Sequence, residues 1–165
     1  MKNLFLVGGT MGSGKTTVSQ ILKSNLPGAV FLDGDWCWDM DPFVVTDETM
    51  DMVRDNIVYL LNNFIRCTAY ENIIFCWVMH QQEIIDDIVS RIDADDVNIL
   101  PISLILTEES LKERLRKDID QGKRLPDIIQ RSSQRLPLYD SLKTIKIDVS
   151  KISPTETAEK IANLL

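Results

Sequence analysis

Between Leu4 and Leu22 the chain reads LFLVGGTMGSGKTTVSQIL, and this stretch limits the available folds more than any other. Gly9 to Thr16 spells glycine, four residues, glycine, lysine, threonine. Before it, Asn3–Val7 is a short apolar run that fits a buried strand. After it, Val18, Ile21, Leu22 and Leu26 recur at helical spacing. Strand, glycine loop and helix in that order form the context in which this pattern binds phosphate. Glycines let the backbone turn tightly and aim successive N–H groups inward. The helix opening at Lys15 adds unpaired N–H groups and the positive end of its dipole. Lys15 supplies a mobile charge for β- and γ-phosphates, and the Thr16 hydroxyl suits Mg²⁺. Gly9, Thr10, Met11, Gly12, Ser13, Gly14, Lys15, Thr16 and Thr17 are therefore the candidate nucleotide-binding residues, and ATP with Mg²⁺ the expected cofactors.

The rest of the chain alternates between two periods. Ala29–Leu32, Asn72–Val78, Ile99–Leu106 and Thr144–Ile147 read as further strands. Met50, Val53, Ile57, Leu60, Leu61 and Phe64 mark a long amphipathic helix. Ile84, Ile85, Ile88, Val89 and Ile92 mark another, and Leu111, Leu115 and Ile119 a third. Ser153-Pro154-Thr155-Glu156 opens the last helix with an N-cap, a first-turn proline and a capping-box glutamate. Strands apolar on both faces, alternating with helices, predict a three-layer α/β fold: a five-stranded parallel sheet covered by helices on both faces. At 165 residues one domain spanning 1–165 is expected.

Charge and composition narrow the function. A net charge of −7 argues against a nucleic-acid surface. Cys37, Cys67 and Cys76 lack metal-type spacing and are odd in number, which suits reduced, structural thiols. No signal-type segment or membrane-length apolar run occurs. A cytoplasmic protein, monomer or homodimer, with a small-molecule partner and neither nucleic acid nor membrane is the expectation.

The glycine loop alone does not choose a reaction. The D-x-x-G and N-K-x-D segments of a GTPase are absent, and no acidic pair follows the third strand, where the chain continues Met79-His80-Gln81. Instead, Phe31-Leu32-Asp33-Gly34-Asp35-Trp36 follows the second strand. Alternate residues of an extended segment share a face, so Asp33 and Asp35 converge beside the loop. One of the two carboxylates serves Mg²⁺, and the other positions or deprotonates an attacking hydroxyl. Asp33 is the candidate metal residue with Thr16, and Asp35 the candidate acceptor residue, with exchange of roles left open.

On these residues the chain resembles the small P-loop kinases of metabolites: shikimate kinase, gluconate kinase, chloramphenicol phosphotransferase and, more distantly, nucleoside monophosphate kinases. Asp33-Gly34-Asp35 resembles the D-x-D of shikimate kinases, and F-L-D-G-D-W is similar to the gluconate kinase segment. Arg135-Leu136-Pro137-Leu138-Tyr139 resembles the R-x-P-L-Y whose arginine belongs to an acidic-substrate site. The resemblance implies a P-loop NTPase fold and transfer of the γ-phosphate of ATP to a hydroxyl or phosphate of a small molecule. It also implies a mobile lid at residues 118–127, with Arg124 as the lid arginine and Arg116 its competitor. Catalytic candidates are thus Lys15, Asp33, Asp35 and Arg124, and substrate candidates Asp35, Trp36, Arg54, His80 and Arg135. Arg54 is expected opposite the apolar stripe of the long helix. The chain departs from shikimate kinases after the third strand, where Cys76-Trp77-Val78-Met79-His80 replaces a glycine triplet. A nucleoside monophosphate-type kinase clamping a second phosphate with Arg54, Arg131 and Arg135 is one alternative. A regulatory nucleotide-binding module with slow ATP hydrolysis is the other.

Overall fold

The computed structural model describes all of residues 1–165. Five strands, β1 (Lys2–Gly8), β2 (Ala29–Asp33), β3 (Asn72–Trp77), β4 (Val97–Ile105) and β5 (Ile145–Asp148), form one parallel sheet in the order β2-β3-β1-β4-β5. The chain runs out to the β2 edge, returns through β3 and crosses β1 to build β4 and β5. The switch point therefore falls at the carboxyl end of β1, where open α/β sheets bind ligands.

Period-two alternation sorts the core onto the two faces. Phe5 and Val7 of β1 face one side, with Val18 and Leu22 of α1 (Lys15–Asn25), Leu111 and Leu115 of α4 (Glu108–Asp120), Ile128 of α5 (Ile128–Arg135) and Ile161 of α6 (Pro154–Ala162). Leu4 and Leu6 face the other, with Val53, Ile57 and Leu61 of α2 (Asp47–Arg66) and Ile84, Ile85 and Ile88 of α3 (Gln82–Arg91). Three layers follow, as the strand and helix patterns predict. No helix is long and apolar enough to cross a membrane.

The helix ends divide by purpose. In α6, Ser153 Oγ accepts from the Glu156 amide at 3.2 Å and Glu156 accepts from the Ser153 amide at 2.7 Å. In α2, Thr46 and Thr49 make the same reciprocal pair. By contrast, α1 begins after Gly14, at φ 93°, with no side-chain cap and no acid in its first turn. Its first amides have no partner within the helix, which leaves an anion site.

Three details differ from the sequence expectation. α4 runs on to Asp120, so the connection to α5 is Gln121–Asp127 and not the whole of 118–127. Short 3-10 helices occupy Gly34–Trp38 and Leu136–Ser141. Arg54 does not lie opposite the stripe of α2: it precedes buried Val58 by four residues and buried Leu61 by seven, so it flanks the core face, and its side chain is only 29% exposed.

Candidate active site

The glycine loop is a braced structure. Gly12 has φ 88°, and a Cβ there would meet Leu115 Cδ2 at 2.7 Å, so both conformation and space demand glycine. The first half of the loop is turned inward. Thr10 is fully buried, and its hydroxyl donates to the Ser132 carbonyl at 2.9 Å and pairs with the Ser132 hydroxyl at 2.7 Å. Ser132 Oγ in turn donates to the Met11 carbonyl. The Gly9 amide is taken by the Val78 carbonyl at 3.4 Å. Gly9, Thr10 and Met11 thus brace the loop, and the cavity beside it is lined from Gly12 onward.

That cavity measures about 510 Å³ and runs along Gly12–Val18. Its second wall is one face of α4, carrying Arg114, Lys117, Asp118 and Gln121 at spacings of three and four residues. Arg124 reaches it from the connection after α4. Arg116 is exposed and off this face, whereas Arg114 lines the cavity. Arg114 donates to the Ser13 carbonyl at 3.2 Å and to the Val149 carbonyl, tying the loop to the segment after β5. Val149, Ile152, Pro154 and Thr157 complete the cavity with a partly apolar end. Arg124 Nε sits 3.2 Å from Asp118 Oδ2.

Lys15 Nζ donates to the Thr10 carbonyl at 3.2 Å, and burial holds its pKa below the ordinary lysine value despite nearby Cys76, Asp35 and Asp33. Thr16 Oγ1 donates to Asp33 Oδ2 at 2.9 Å. Asp33 Oδ1 accepts the Asp35 amide at 3.0 Å, so both oxygens of this buried carboxylate are engaged. Asp35 is exposed, and its Oδ1 accepts from the Trp77 indole at 3.2 Å. Below the pair, burial pushes the Cys76 thiol up to about 12, leaving it an inert wall at neutral pH. A hydroxyl and a carboxylate oxygen 2.9 Å apart are hard donors that fit Mg²⁺, which takes few protein ligands when phosphates supply others.

Around Asp35 the tryptophans differ in placement. Trp36 is 58% exposed, sets its ring edge on Phe31 at 5.3 Å and lines a shallow hollow with Tyr59 and Leu60 at the β2 edge. The indole bonded to Asp35 is that of Trp77, not Trp36. A Cβ on Gly34 would sit 2.5 Å from the Trp77 ring, so the glycine between the aspartates admits that indole.

His80 follows Met79, a non-glycine residue held at φ 35°. Its Nδ1 is buried without a partner, and burial together with the Arg135 charge keeps its pKa below the usual histidine value. Tyr139 donates to the Val78 carbonyl, which pins the Arg135 segment to the end of β3. Arg135 is half-buried beside His80. Arg131 is exposed and paired with Asp127 at 3.0 Å.

Comparison with solved structures finds the same fold repeatedly. The chain is similar to the tunicamycin resistance protein of Deinococcus radiodurans, with a TM-score of 0.76 and 18% identity over 99% of this chain and 95% of the other. It is similar to a gluconokinase from Sinorhizobium meliloti 1021, with a TM-score of 0.70 and 19% identity over 98% and 93%. It is also similar to shikimate kinase from Aquifex aeolicus, with a TM-score of 0.61 and 18% identity over 98% and 94%. These likenesses establish a P-loop NTPase-like α/β fold. A search of curated proteins returns no match. The profile of the AAA domain matches residues 6–135, from β1 through the glycine loop and both aspartates to the end of α5, and the chain belongs to that family.

Proposed function

We propose that the protein is an ATP- and Mg²⁺-dependent phosphotransferase that moves the γ-phosphate of ATP to a hydroxyl of a small molecule. The observation that carries this reading is the chain of contacts Thr16–Asp33–Asp35, with distances of 2.9 and 3.0 Å, ending in a carboxylate open to solvent. A nucleotide-hydrolysing module needs the first two members; an exposed third, set beside the phosphate loop, serves an acceptor. The kinase names of the similar structures support the same reading.

The loop amides from Gly12 onward and the N-terminus of α1 hold the triphosphate, and Lys15 meets its terminal phosphates. Thr16 and Asp33 would hold Mg²⁺, which neutralises phosphate charge when bound. Both Asp33 oxygens already accept a hydrogen bond, so the acceptor falls to Asp35, whose Oδ2 accepts none. The acceptor oxygen forms a bond to the γ-phosphorus, the bond from that phosphorus to the bridging oxygen breaks, and ADP leaves. The hydroxyl proton passes to Asp35. Arg124 leaves Asp118 as residues 121–127 close and meets the charge on the transferring group.

A nucleotide acceptor needs cations for a second phosphate, and Arg131, committed to Asp127 and exposed, is poorly placed for it. ADP release measured against a panel of hydroxylated metabolites and nucleotides tests the proposal. Stimulation by an acceptor that gains phosphate supports it. Slow ATP hydrolysis unaffected by every compound favours the regulatory module.

A further inference from the structure

Downstream of Asp35 three apolar residues stand exposed in succession: Phe43 by 62%, Val44 by 44% and Val45 by 52%. Single exposed apolar residues are ordinary, but a consecutive run serves binding or invites aggregation. This run is joined to the site by direct contacts. Asp35 accepts from the Trp77 indole at 3.2 Å. The Trp77 ring meets Trp38 edge to face at 6.0 Å, and Trp38 meets Phe43 edge to face at 5.2 Å. Trp77 is buried and Trp38 only partly so, which leaves Trp38 and Phe43 as the members a ligand can reach.

The charge on the same stretch has one sign. Asp35, Asp39, Asp41, Asp47, Glu48 and Asp51 carry six negative charges over residues 35–53, and the one cation that follows directly, Arg54, lies 3.9 Å from Asp51. Polyhydroxylated acids would meet repulsion there and find little to gain from aromatic rings.

We propose that the acceptor presents its reacting hydroxyl to Asp35 from an apolar, ring-sized body resting on Trp38 and Phe43, with no anionic group at that end. The inference rests on the phosphotransferase reading and names its substrate class. Any anionic group of the acceptor lies at the other end, toward Arg135 and His80. A protein partner would also cover Phe43–Val45, but the aromatic connection to the catalytic carboxylate favours a small molecule.

The test uses the full chain with Mg²⁺ and a non-hydrolysable ATP analogue. Four probes are titrated: 2-phenylethanol, 2-cyclohexylethanol, sodium gluconate and sodium shikimate. The three tryptophan indole N–H signals are followed by NMR, assigned by single Trp→Phe variants. Parallel samples with ATP are read for ADP release and for phosphorylated product by mass spectrometry.

The ring alcohols are expected to shift the Trp38 signal saturably, leave Trp36 unmoved and accept phosphate. Phe43→Ser, an exposed change checked for fold by circular dichroism, is expected to weaken that binding by about tenfold. Transfer to the acids and not to the alcohols overturns the apolar-acceptor proposal while the phosphotransferase reading stands. Analogue binding with no transfer to any probe, and no Trp38 shift, overturns the proposal and favours the regulatory module. A concentration-dependent dimer dissolved by Phe43→Ser assigns the run to self-association and overturns it as well.

Discussion

The two sides of Lys15 and Thr16 are built in opposite ways. On the nucleotide side, backbone and side chains are tied down: Thr10 and Met11 to Ser132, Ser13 to Arg114, and Gly12 against Leu115. On the acceptor side, Asp35 is exposed, the following turn is a single 3-10 helix, and residues 41–48 lie open to solvent. The difference fits the two ligands. A triphosphate is bound mostly by fixed dipoles, whose strength depends on being preorganised. An acceptor is selected by surfaces particular to it, and function-bearing loops carry such surfaces on a rigid scaffold.

The sharpest break of this comparison removes the residue where the two sides meet. Lys15→Met should lower turnover by three orders of magnitude or more, because it removes the charge that the phosphate loop itself brings to the terminal phosphates. Near-normal turnover in a purified variant, measured by ADP release with an acceptor, would remove the phosphate-loop assignment. On the acceptor side, Asp35→Asn should cost about 10²- to 10⁴-fold in turnover, the usual worth of a positioned base. ATP affinity should stay within a few fold, since Asp33 and not Asp35 is bonded to Thr16. A collapse of Mg·ATP binding in that variant would reverse the roles of the two aspartates.

What the sequence made legible follows the same division. Glycine spacing and the apolar run before it are local, so the strand, loop and helix of residues 2–25 follow from short-range geometry. Period-two and helical patterns likewise place the strands and the main helices within a few residues. The brace at Ser132 was not legible: it pairs residues 122 apart in the chain through one hydroxyl, and serines carry no pattern. Arg114 left a signal, since 114, 117, 118 and 121 form one helical face, whereas Arg116 sits about half a turn away. Trp36 adjoins Asp35 in sequence, yet the indole bonded to that carboxylate belongs to Trp77, which no local pattern indicates. A 3-10 turn rotates successive side chains by about 120°, so the neighbour that reaches Asp35 comes from β3.

Arg124→Ala tests the moving part of the nucleotide side. Its guanidinium now contacts Asp118 and must transfer to the reacting phosphate, so turnover should fall about a hundredfold with little change in stability. Hydrogen exchange across 121–127 should show rising protection with a non-hydrolysable analogue and an acceptor together. Equal protection in every state, with a silent variant, would make this segment a fixed connection. Ser132→Ala should act more mildly, through the loop's shape: it removes the hydroxyl shared with Thr10 and Met11 and should cost about 1–3 kcal/mol of stability. KM for ATP should rise while the acceptor KM holds. Equal changes in both would mean that the two sides are not separately built.

The smallest effect returns to Lys15 and concerns the protein without ligand. Burial lowers its pKa in the fold, so the ammonium is less stable there than in the unfolded chain, even with Asp33 and Asp35 nearby. The sign follows from proton counting. Between the lowered folded value and the ordinary lysine value, the unfolded chain holds the proton and the fold does not, so stability rises with pH across that window. Below the window the fold carries the cost of a desolvated charge. Lys15→Met keeps an unbranched apolar stem, one atom shorter, gives up one bond to the Thr10 carbonyl and removes that cost. Calorimetry of the apo protein below that window should therefore show a raised melting temperature. Saturating Mg²⁺ with a non-hydrolysable ATP analogue should reverse the order, since binding at a hundred times Kd adds about 2.7 kcal/mol to the wild type alone. A lower apo melting temperature for Lys15→Met would mean that attraction to the two aspartates outweighs desolvation. The lysine would then be a structural tie between the two sides, and not a charge held at a cost for the phosphates.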